Sequence, residues 1–438
     1  MMNVNEIKLA VEEAAKLYGA EGYVVRINTE TSAGAEALRH EISSVTYSRS
    51  GGMTVRCVKN GKSGYASSEL VTAEEAAELV RIACDNALVV DDVDEVPLFA
   101  GSESYTEVPK EDVILPEADE MKAHTMEIQE KLYAASDKIV DGTQAFTSCG
   151  AGTDIYINSA GLNLSYESAL VYHGAVAAVK EGEDAQENYE VGLMSKIDTD
   201  GLVKGAVEGA ISMLGADTVE SGKYNVIFDK GSMRMILGCF ASVFSARSAY
   251  LKTTLLAGKE GELVASENLT ICDDPFHPDK YGHCPFDGEG VAVYKKNVIE
   301  NGVLKTLLYN RMYAKKFGKE TTGNATSATH ISPKGLYIEP GDLTEAQLME
   351  KLDNGIYITE LKGLHAGANV QSGDFSLEAA GFMVEGGKKT KAIKNFTIAD
   401  NFFTLIKKVI AISDTVEFKT SSCGSPEVLF GDISVAGK

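Results

Sequence analysis

The stretch MTVRCVKNGKSGYASS, residues 53–68, decides the fold class. Two runs of strand-forming residues flank Asn60-Gly61, and this dipeptide is typical of the two-residue turn of a β-hairpin. The stretch therefore predicts two antiparallel strands, at 53–59 and 63–68, which need no crossover helix between them.

Helices are predicted on both sides of this hairpin. Apolar residues at helical spacing predict a helix over 4–18, and Gly19 ends it. Thr72 and Glu75 form the capping-box pattern that opens a second helix, over 72–88. Strands are predicted at 23–29 and 42–49, so residues 1–90 read as a helix, a small antiparallel sheet and a helix.

The same order returns after an acidic stretch with three prolines, residues 91–116, which reads as a linker. A second α+β unit is predicted over 117–219. Its predicted elements are a helix at 117–135, strands at 139–149, 153–158, 162–166 and 169–179, and a helix at 201–214. This order indicates either an internal duplication or two α+β units that arrived at the same pattern independently.

The remaining residues, 220–438, are predicted to form a larger and more β-rich domain. A hairpin is expected around Asn301-Gly302, and the stretch 252–290 reads as irregular. The other predicted elements are a helix at 231–250 and strands at 224–228, 291–298, 303–308, 335–339, 356–361, 375–384 and 391–398. Because helices and strands follow one another without a regular βαβ rhythm, the pattern predicts an α+β fold and disfavours a doubly wound sheet.

Charge excludes several classes of function. The 438 residues include 41 Lys and Arg and 64 Asp and Glu, so the formal net charge is −23. Binding to phosphate backbones or to anionic membranes needs clustered positive charge. The sequence therefore predicts neither a nucleic-acid partner nor a membrane partner, and the acidity favours solubility.

The cysteines and the N-terminus indicate a cytoplasmic protein. Seven cysteines are scattered along the chain without a C-x-x-C pair, which is typical of reduced thiols. The first residues carry Glu6, Glu12 and Glu13 on an amphipathic pattern, unlike the basic start and apolar core of a signal peptide. No apolar run approaches the length of a membrane span.

Metal-binding and nucleophile motifs are weak in this sequence. The densest group of candidate ligands is Cys272, His277, His283 and Cys284, whose spacing fits no standard zinc motif and suits an ordinary loop. The pair at 40–41, His followed by Glu, lacks a second His at helical spacing and is expected on an exposed strand. No nucleophile elbow or phosphate-binding loop is present.

Cysteines next to glycines and two glycine-rich segments are the other candidates. Cys149 and Cys423 each precede a glycine, where a thiol could be exposed, although a buried thiol is the commoner outcome. The glycine-rich segments are 285–290, a tight turn, and 363–374, which reads as a long flexible loop. Such loops on a rigid sheet often line binding sites and often serve only as connections.

These segments carry a resemblance to a known family. The sequence motifs that carry it are PFDGEGV at 285–291, IENG at 299–302, MYAK at 312–315, TGNA at 322–325, GDFSLEAAGFMVEG at 373–386, CG at 423–424 and AG at 436–437. Their order over 220–438 resembles the TldD/PmbA family, and within it the PmbA (TldE) branch. The N-terminal half fits in layout, including YSRSG at 47–51.

The resemblance implies a two-subunit metallopeptidase that acts on unfolded peptides. In the TldD branch, a His-Glu motif with a second His and a late Cys holds the metal, and the Glu activates water. The family has been linked to the maturation of a peptide antibiotic, to antitoxin breakdown and to the label "modulator of DNA gyrase". No metal is expected in this chain, and zinc is expected in a TldD-like partner.

The sequence departs from the catalytic branch where the His-Glu motif should lie. Residues 237–246 read LGCFASVFSA, with no His and no acid, and only Cys423 matches a ligand position. We therefore expect a non-catalytic subunit that pairs with a TldD-like chain or with itself and grips extended peptides. The alternatives are a metal-free homodimeric peptide-binding module and an autonomous peptidase using Cys423 or the 272–284 cluster. The residues predicted to line a substrate cleft or an interface are Asp287, Glu289, His365, Asn369, Asp374, Glu385 and Cys423.

Overall fold

The structure is a computed structural model that describes residues 3–91, 96–108 and 114–438. The first part of the chain forms four helices and six strands. They are α1 (Val4–Tyr18), β1 (Gly22–Leu38), β2 (Glu41–Lys59), β3 (Lys62–Ser68), α2 (Ala73–Val89), α3 (Ala118–Ala135), β4 (Gln144–Asn158), β5 (Asn163–Glu181), β6 (Asp184–Leu193) and α4 (Thr199–Ser212).

The repeated helix–meander–helix order predicted from the sequence is confirmed. All six strands form one antiparallel sheet in the order β3-β2-β1-β4-β5-β6. β1 and β4 pair at its centre, and each half then continues outward in chain order. The two halves are therefore related by an approximate two-fold arrangement within one sheet, and a common origin by duplication stays a prediction.

Several strands predicted as separate are single long strands, which is a correction. The predicted pairs 42–49 with 53–59, 139–149 with 153–158, and 162–166 with 169–179 fall on β2, β4 and β5, although β4 begins only at Gln144 and β5 at Asn163. Gly51 and Gly52 suggested a break, but both pair with β1, opposite Thr29 and Asn28. A glycine weakens a strand without interrupting its backbone ladder. β6 had no counterpart in the prediction.

The hairpin that opened the sequence analysis is confirmed in register. Lys59 pairs with Lys62, and Asn60 and Gly61 both have positive φ, 53° and 68°, as a type I′ turn requires. The exposed strand predicted at 40–41 is wrong for His40, which forms the turn between β1 and β2 with Arg39, at φ of 64° and 55°, whereas exposed Glu41 begins β2. The His40 ring there stacks on Tyr133, with a centroid distance of 3.9 Å.

Side-chain alternation gives the N-terminal sheet two different faces. On β1, Val25 and Ile27 point into an apolar core beneath α1 and α2. Ala145 and Ala175 belong to a second core, beneath α3 and α4. Val24 and Arg26 alternate with the first pair and lie on the opposite face. That face meets the C-terminal part of the chain.

The C-terminal part contains shorter elements. They are β7 (Gly222–Phe228), α5 (Lys230–Phe240), α6 (Ala246–Tyr250), β8 (Ile271–Asp273), β9 (Lys296–Glu300), β10 (Val303–Leu304), α7 (Arg311–Phe317), β11 (Leu336–Ile338), α8 (Glu345–Leu352), β12 (Gly355–Lys362), α9 (Leu364–Gly367), β13 (Asp374–Glu385), β14 (Lys388–Asn401), α10 (Phe402–Leu405), β15 (Val409–Ile412), β16 (Cys423–Gly424) and β17 (Val428–Ala436).

Two sheets enclose the large core of this part. One has the order β14-β13-β12-β7-β17-β15, and β14 also pairs with β17, so five of its strands close into a ring. The other has the order β10-β9-β8-β11-β16. Aromatic side chains fill the space between α5 and the sheets, and Phe240 stacks on Phe402 at 4.7 Å. The predicted α+β class, with a larger β-rich C-terminal domain, is confirmed.

The single helix predicted at 231–250 is wrong. α5 ends at Phe240, a 3₁₀ turn covers Ala241–Phe244, and Ser245 is extended before α6 begins. The Ser245 hydroxyl accepts a hydrogen bond from the Arg247 amide at 3.1 Å, as an N-cap does. The backbone of Ala246 also donates to the Leu308 carbonyl, so tertiary contacts fix the break.

The hairpin around Asn301-Gly302 forms, but it is shorter than predicted. β9 starts at Lys296 and β10 ends at Leu304, whereas residues 291–295 and 305–308 lie outside these strands. The stretch 252–290, predicted as irregular, contains β8. β15 and β17 were not predicted. All seven cysteines are free. No helix in the described parts of the chain is long and apolar enough to cross a bilayer.

The predicted linker makes contacts that a free spacer would not make. Residues 96–108 cross the open face of the N-terminal sheet, where Leu98, Phe99 and Tyr105 pack beside Phe286. The Tyr105 hydroxyl donates to the Gly290 carbonyl at 2.7 Å. Pro109 lies outside the described residues. The segment therefore joins α2 to α3 along the chain and also packs against the turn at 285–290 of the C-terminal part.

Candidate functional site

Cys423 lies in β16, which pairs in parallel with β11. Its side chain is buried against the large core, and burial raises the pKa of this thiol to about 11. The residue of α5 that faces the sulfur is Gly238, where an added β-carbon would lie 3.7 Å from Sγ. The helix therefore presents no donor side chain to Cys423 at this position, and the thiol is not a ready nucleophile.

The cluster at 272–284 is not a set of converging ligands. Cys272 packs in a small apolar cluster with Tyr337 and Phe418. The His277 ring contacts the same two aromatic rings, at 4.8 Å each, and burial lowers the pKa of His277. The His283 Nε2 atom lies 3.1 Å from the His277 carbonyl oxygen. Within residues 3–91, 96–108 and 114–438, no three His, Cys, Asp or Glu side chains could together hold a metal ion.

A cavity of about 420 Å³ lies where the open face of the N-terminal sheet meets the C-terminal part. Strand pairing explains which side chains enter it: Arg26 pairs with Thr54 on one side and with Tyr156 on the other, so all three lie on one face. The predicted linker and the turn at 285–290 complete the wall. Its main lining residues are Val24, Arg26, Asn28, Thr54, Arg56, Tyr65, Leu98, Phe99, Asp154, Tyr156, Gly288, Glu289, Arg311 and Ser327.

Asp287 shapes the turn that delivers Glu289 to this cavity. Its buried carboxylate accepts hydrogen bonds from the backbone amides of Glu289 (2.8 Å), Val291 (3.0 Å) and Ala325 (2.8 Å). Gly290 has φ of 78°, and a β-carbon there would meet the Tyr156 ring at 3.0 Å. Asp287 is therefore a structural residue of the turn.

Glu289 is a titratable group in the cavity wall. Its Oε2 atom accepts a hydrogen bond from the Arg311 amide at 2.9 Å. Burial, with a further contribution from the nearby Asp287 charge, raises the pKa of Glu289 to about 7. Burial likewise raises the pKa of the neighbouring Tyr156 hydroxyl to about 12. Glu289 therefore changes charge near neutral pH, as groups at functional sites often do.

Arginine side chains give the cavity a positive wall. Arg26 donates to the Thr326 carbonyl at 3.0 Å and lies 3.6 Å from Asp154. Arg311 donates to the Pro97 carbonyl at 2.7 Å, and its guanidinium lies over the Phe99 ring at 5.0 Å. Sequence reasoning missed these arginines. The signal was a charged residue, Arg26, within the short apolar run at residues 23–27 that begins β1.

The other predicted site residues lie elsewhere. The segment 363–374 is ordered, not a long free loop: it contains α9, and Asn369 accepts hydrogen bonds from the amides of Gln371 and Ser372. Asp374 accepts from Asn401 at 2.8 Å. Asn369 and Asp374 line a shallow surface region, exposed His365 lies in α9, and Glu385 ends β13 beside its turn to β14. Of the seven predicted residues, Glu289 lines the cavity, and buried Asp287 lies behind it in the same turn.

Two family models match this chain. The "PmbA/TldA metallopeptidase C-terminal domain" covers residues 221–437, and "PmbA/TldA metallopeptidase domain 1" covers residues 23–87. A "Metalloprotease PmbA homolog" of Buchnera aphidicola is 30% identical over 320 residues, 71% of this chain and 69% of the relative. The chain belongs to the TldD/PmbA metallopeptidase family.

Other members of the TldD/PmbA family match over nearly the whole chain. "Metalloprotease PmbA" of Escherichia coli O157:H7 is 25% identical over 96% of this chain and 93% of the relative. A Thermotoga maritima structure named for modulation of a DNA gyrase has a TM-score of 0.91 and 27% identity, covering 99% of this chain and all of that one. TldE of Thermococcus kodakarensis shares the fold, with a TM-score of 0.88, 22% identity and coverage of 98% and 100%.

Proposed function

We propose that this chain is a metal-free, PmbA-like subunit of a cytoplasmic metallopeptidase, which pairs with a TldD-like chain and helps to hold unfolded peptides for cleavage. The observation that carries the proposal is that α5 presents Gly238 to Cys423. A hydrolytic zinc site needs three protein ligands and a water-activating base. Residues 237–246 contain neither His nor an acid, so the donors present do not fit a zinc ion.

The open edge of the N-terminal sheet supports a role in gripping peptides. β3 pairs with β2 only from Met53, opposite Ser68, to Lys59, opposite Lys62. The outer edge of β2 from residue 41 to 50 therefore has no strand partner among the described residues. An extended peptide could add to such an edge through main-chain hydrogen bonds. Edge binding tolerates many side chains, which suits unfolded substrates.

An autonomous cysteine peptidase is disfavoured. The attacking species of such an enzyme is the thiolate. Burial raises the pKa of Cys423 to about 11, and Gly238 offers no base beside it. The pKa of Cys272 is raised to about 11 for the same reason.

A direct action on DNA is also disfavoured. The structural relative from Thermotoga maritima is named for DNA gyrase, but a net charge of −23 opposes binding to a phosphate backbone. Any effect on gyrase would then act through processed peptides or toxins.

The decisive experiment combines metal analysis with reconstitution. This chain and a TldD-like chain would be purified separately and together, and zinc content and casein digestion would be measured for each preparation. We expect zinc in the partner, none in stoichiometric amount in this chain, and digestion that this chain stimulates. As a control, Cys423→Ala in this chain should leave that digestion unchanged.

Three outcomes would contradict the proposal. Chelator-sensitive cleavage by this chain alone would make it a metallopeptidase in its own right. Loss of activity with Cys423→Ala at unchanged stability would favour a cysteine nucleophile. If the chain self-associates, binds peptides and has no effect on a TldD-like partner, it is a homodimeric peptide-binding module instead.

A further inference from the structure

The cavity between the two parts of the chain concentrates positive charge in an acidic protein. The chain has only eight arginines against a net charge of −23, and three of them, Arg26, Arg56 and Arg311, line this one cavity. This local positive charge is opposite in sign to the net charge of the protein. It indicates a local requirement for an anionic ligand.

The framework holds two of these guanidinium groups largely through neutral atoms. Arg26 and Arg311 each donate to a backbone carbonyl, of Thr326 and Pro97. Carbonyl contacts orient a guanidinium without cancelling its charge. Arg26 also forms an ion pair with Asp154, at 3.6 Å, a longer separation than a direct hydrogen bond. The guanidinium groups are therefore held in place, and the three arginines of the lining outnumber its two carboxylates, Asp154 and Glu289, so the cavity keeps an excess of positive charge.

Other residues of the lining supply a hydrogen-bond acceptor and apolar surface beside the arginines. Glu289 uses Oε2 for the Arg311 amide, and no hydrogen bond to its Oε1 atom comes from the described residues. Phe99, Tyr156 and Leu98 form an apolar side. A volume of about 420 Å³ lies in the range typical of pockets for small ligands.

We propose that this cavity binds the C-terminal end of a short peptide, with its carboxylate on Arg26 and Arg311, its last side chain against Phe99 and Leu98, and an amide N–H on Glu289. A guanidinium fork matches a carboxylate in geometry and charge. The carboxylates of Asp154 and Glu289 in the cavity lining disfavour a doubly charged phosphate. The choice of a peptide as the ligand rests on the proposed function.

Binding to the isolated full-length chain tests this site. Isothermal titration would compare an acetylated tripeptide ending in Leu as the free acid and as the C-terminal amide. We expect the free acid to bind and the amide to bind about ten-fold more weakly or not at all, since the charged hydrogen bonds are lost. Arg26→Gln should weaken binding of the acid to a similar extent without affecting the amide.

Two further variants make the result specific. Arg81→Gln removes an arginine of α2 that pairs with Glu78 and Asp85 outside the cavity, and it should leave binding unchanged. Asp154→Asn removes negative charge from the wall and should strengthen binding of the acid, so the site remains testable if Arg26→Gln does not fold.

Several results would overturn the assignment. They are equal binding of acid and amide, no binding at millimolar peptide, an equal loss with Arg81→Gln, or competition by inorganic phosphate as effective as by the peptide acid. The last result would mean a general anion site. Because no partner is present, binding can fail while reconstituted digestion succeeds, or the reverse, so this inference and the proposed function can be rejected separately.

Discussion

Gly238 of α5 faces the sulfur of Cys423, and a β-carbon at position 238 would lie 3.7 Å from that sulfur. This distance is an ordinary van der Waals contact, so the position has room for a side chain and carries none. The buried thiol of Cys423 therefore faces a helix position that carries no side chain. The His-Glu motif of the catalytic branch is expected in this part of the chain, where residues 237–246 contain no His and no acid.

Gly238→Ala should stabilise the protein. Alanine fits the available space, and replacing a helical glycine reduces the conformational entropy of the unfolded chain. We expect the free energy of unfolding to rise by about 0.5–1 kcal/mol, measured by denaturant titration. Gly64→Ala is the contrasting variant. Its added β-carbon would collide with the Ala83 carbonyl, so we expect this substitution to destabilise the fold. A clear loss of stability with Gly238→Ala would contradict the geometry.

Cys423 should resist alkylation in the folded protein. Its thiol is buried and its pKa is raised to about 11, so the reactive thiolate is scarce near neutral pH. Peptide mass spectrometry after iodoacetamide treatment at about pH 8 would rank the seven thiols. Partly exposed Cys239 should react before Cys423. Rapid labelling of Cys423 in the native state would show that the thiol is more accessible than its surroundings indicate.

Asp273 should be essential for stability. Its buried carboxylate lies 3.2 Å from Lys296 Nζ and accepts hydrogen bonds of 2.7 Å from Asn324 Nδ2 and from the amides of Lys334 and Gly335. Asp273→Ala leaves Lys296 buried without its counter-charge, which typically costs about 3–5 kcal/mol. Denaturant unfolding measures the loss.

Asp273→Asn is the matched control for charge alone. The amide keeps the shape and an acceptor for the backbone amides but not the negative charge, so its loss should be smaller than that of Asp273→Ala. The pKa of Asp273 is lowered by Lys296 and its hydrogen bonds. Its contribution to stability is therefore present at neutral pH and is lost as the pH falls into the acid range. Equal stability of Asp273→Ala and the parent chain would refute this role.

Glu289→Gln should stabilise the protein only at higher pH. Burial raises the pKa of Glu289 from its ordinary 4.5 to about 7, with Asp287, Arg311 and Arg56 as its charged neighbours. The folded state then binds the proton more tightly than the unfolded state, so stability falls as the pH rises from 4.5 to 7. The neutral amide avoids this loss, and we expect a gain of about 1–3 kcal/mol near pH 8.

The pH dependence of unfolding distinguishes this effect from a general one. Near pH 5, Glu289→Gln and the parent chain should unfold at almost the same denaturant concentration. As a control, Glu267→Gln at an exposed position should unfold at the same denaturant concentration as the parent chain at pH 5 and at pH 8. A gain that is equal at pH 5 and pH 8 would show that the effect of Glu289→Gln does not come from ionisation.

Local patterns in the sequence predicted elements well where their cause is local. The Asn60-Gly61 hairpin, the capped helix after Thr72 and the α+β class follow from turn geometry, capping and side-chain periodicity. The same reasoning failed where tertiary contacts decide the outcome. Gly51 and Gly52 suggest a break in the sequence, but both pair with β1 in the structure. The helical pattern continues past Phe240 in the sequence, but the helix ends there, and the Ala246 amide donates to the Leu308 carbonyl instead.

The candidate site was predictable only in part. The turn carrying Asp287 and Glu289 is visible as a glycine-rich motif, since its tight geometry needs glycines at fixed positions. The arginines that face it come from β1, β2 and α7, far apart in the chain. Their local sequence does not predict that these side chains line the same cavity.

The sequence by itself determined the acidity, the absence of a C-x-x-C pair, the family resemblance and the missing His and acid at 237–246, because composition and motif do not depend on folding. Only the tertiary structure decided that Gly238 faces Cys423, that the predicted linker is a wall, and that Arg26 and Arg311 share a cavity with Glu289. The physical reason is that strand alternation fixes which side chains share a face, but only packing between distant segments fixes what that face meets.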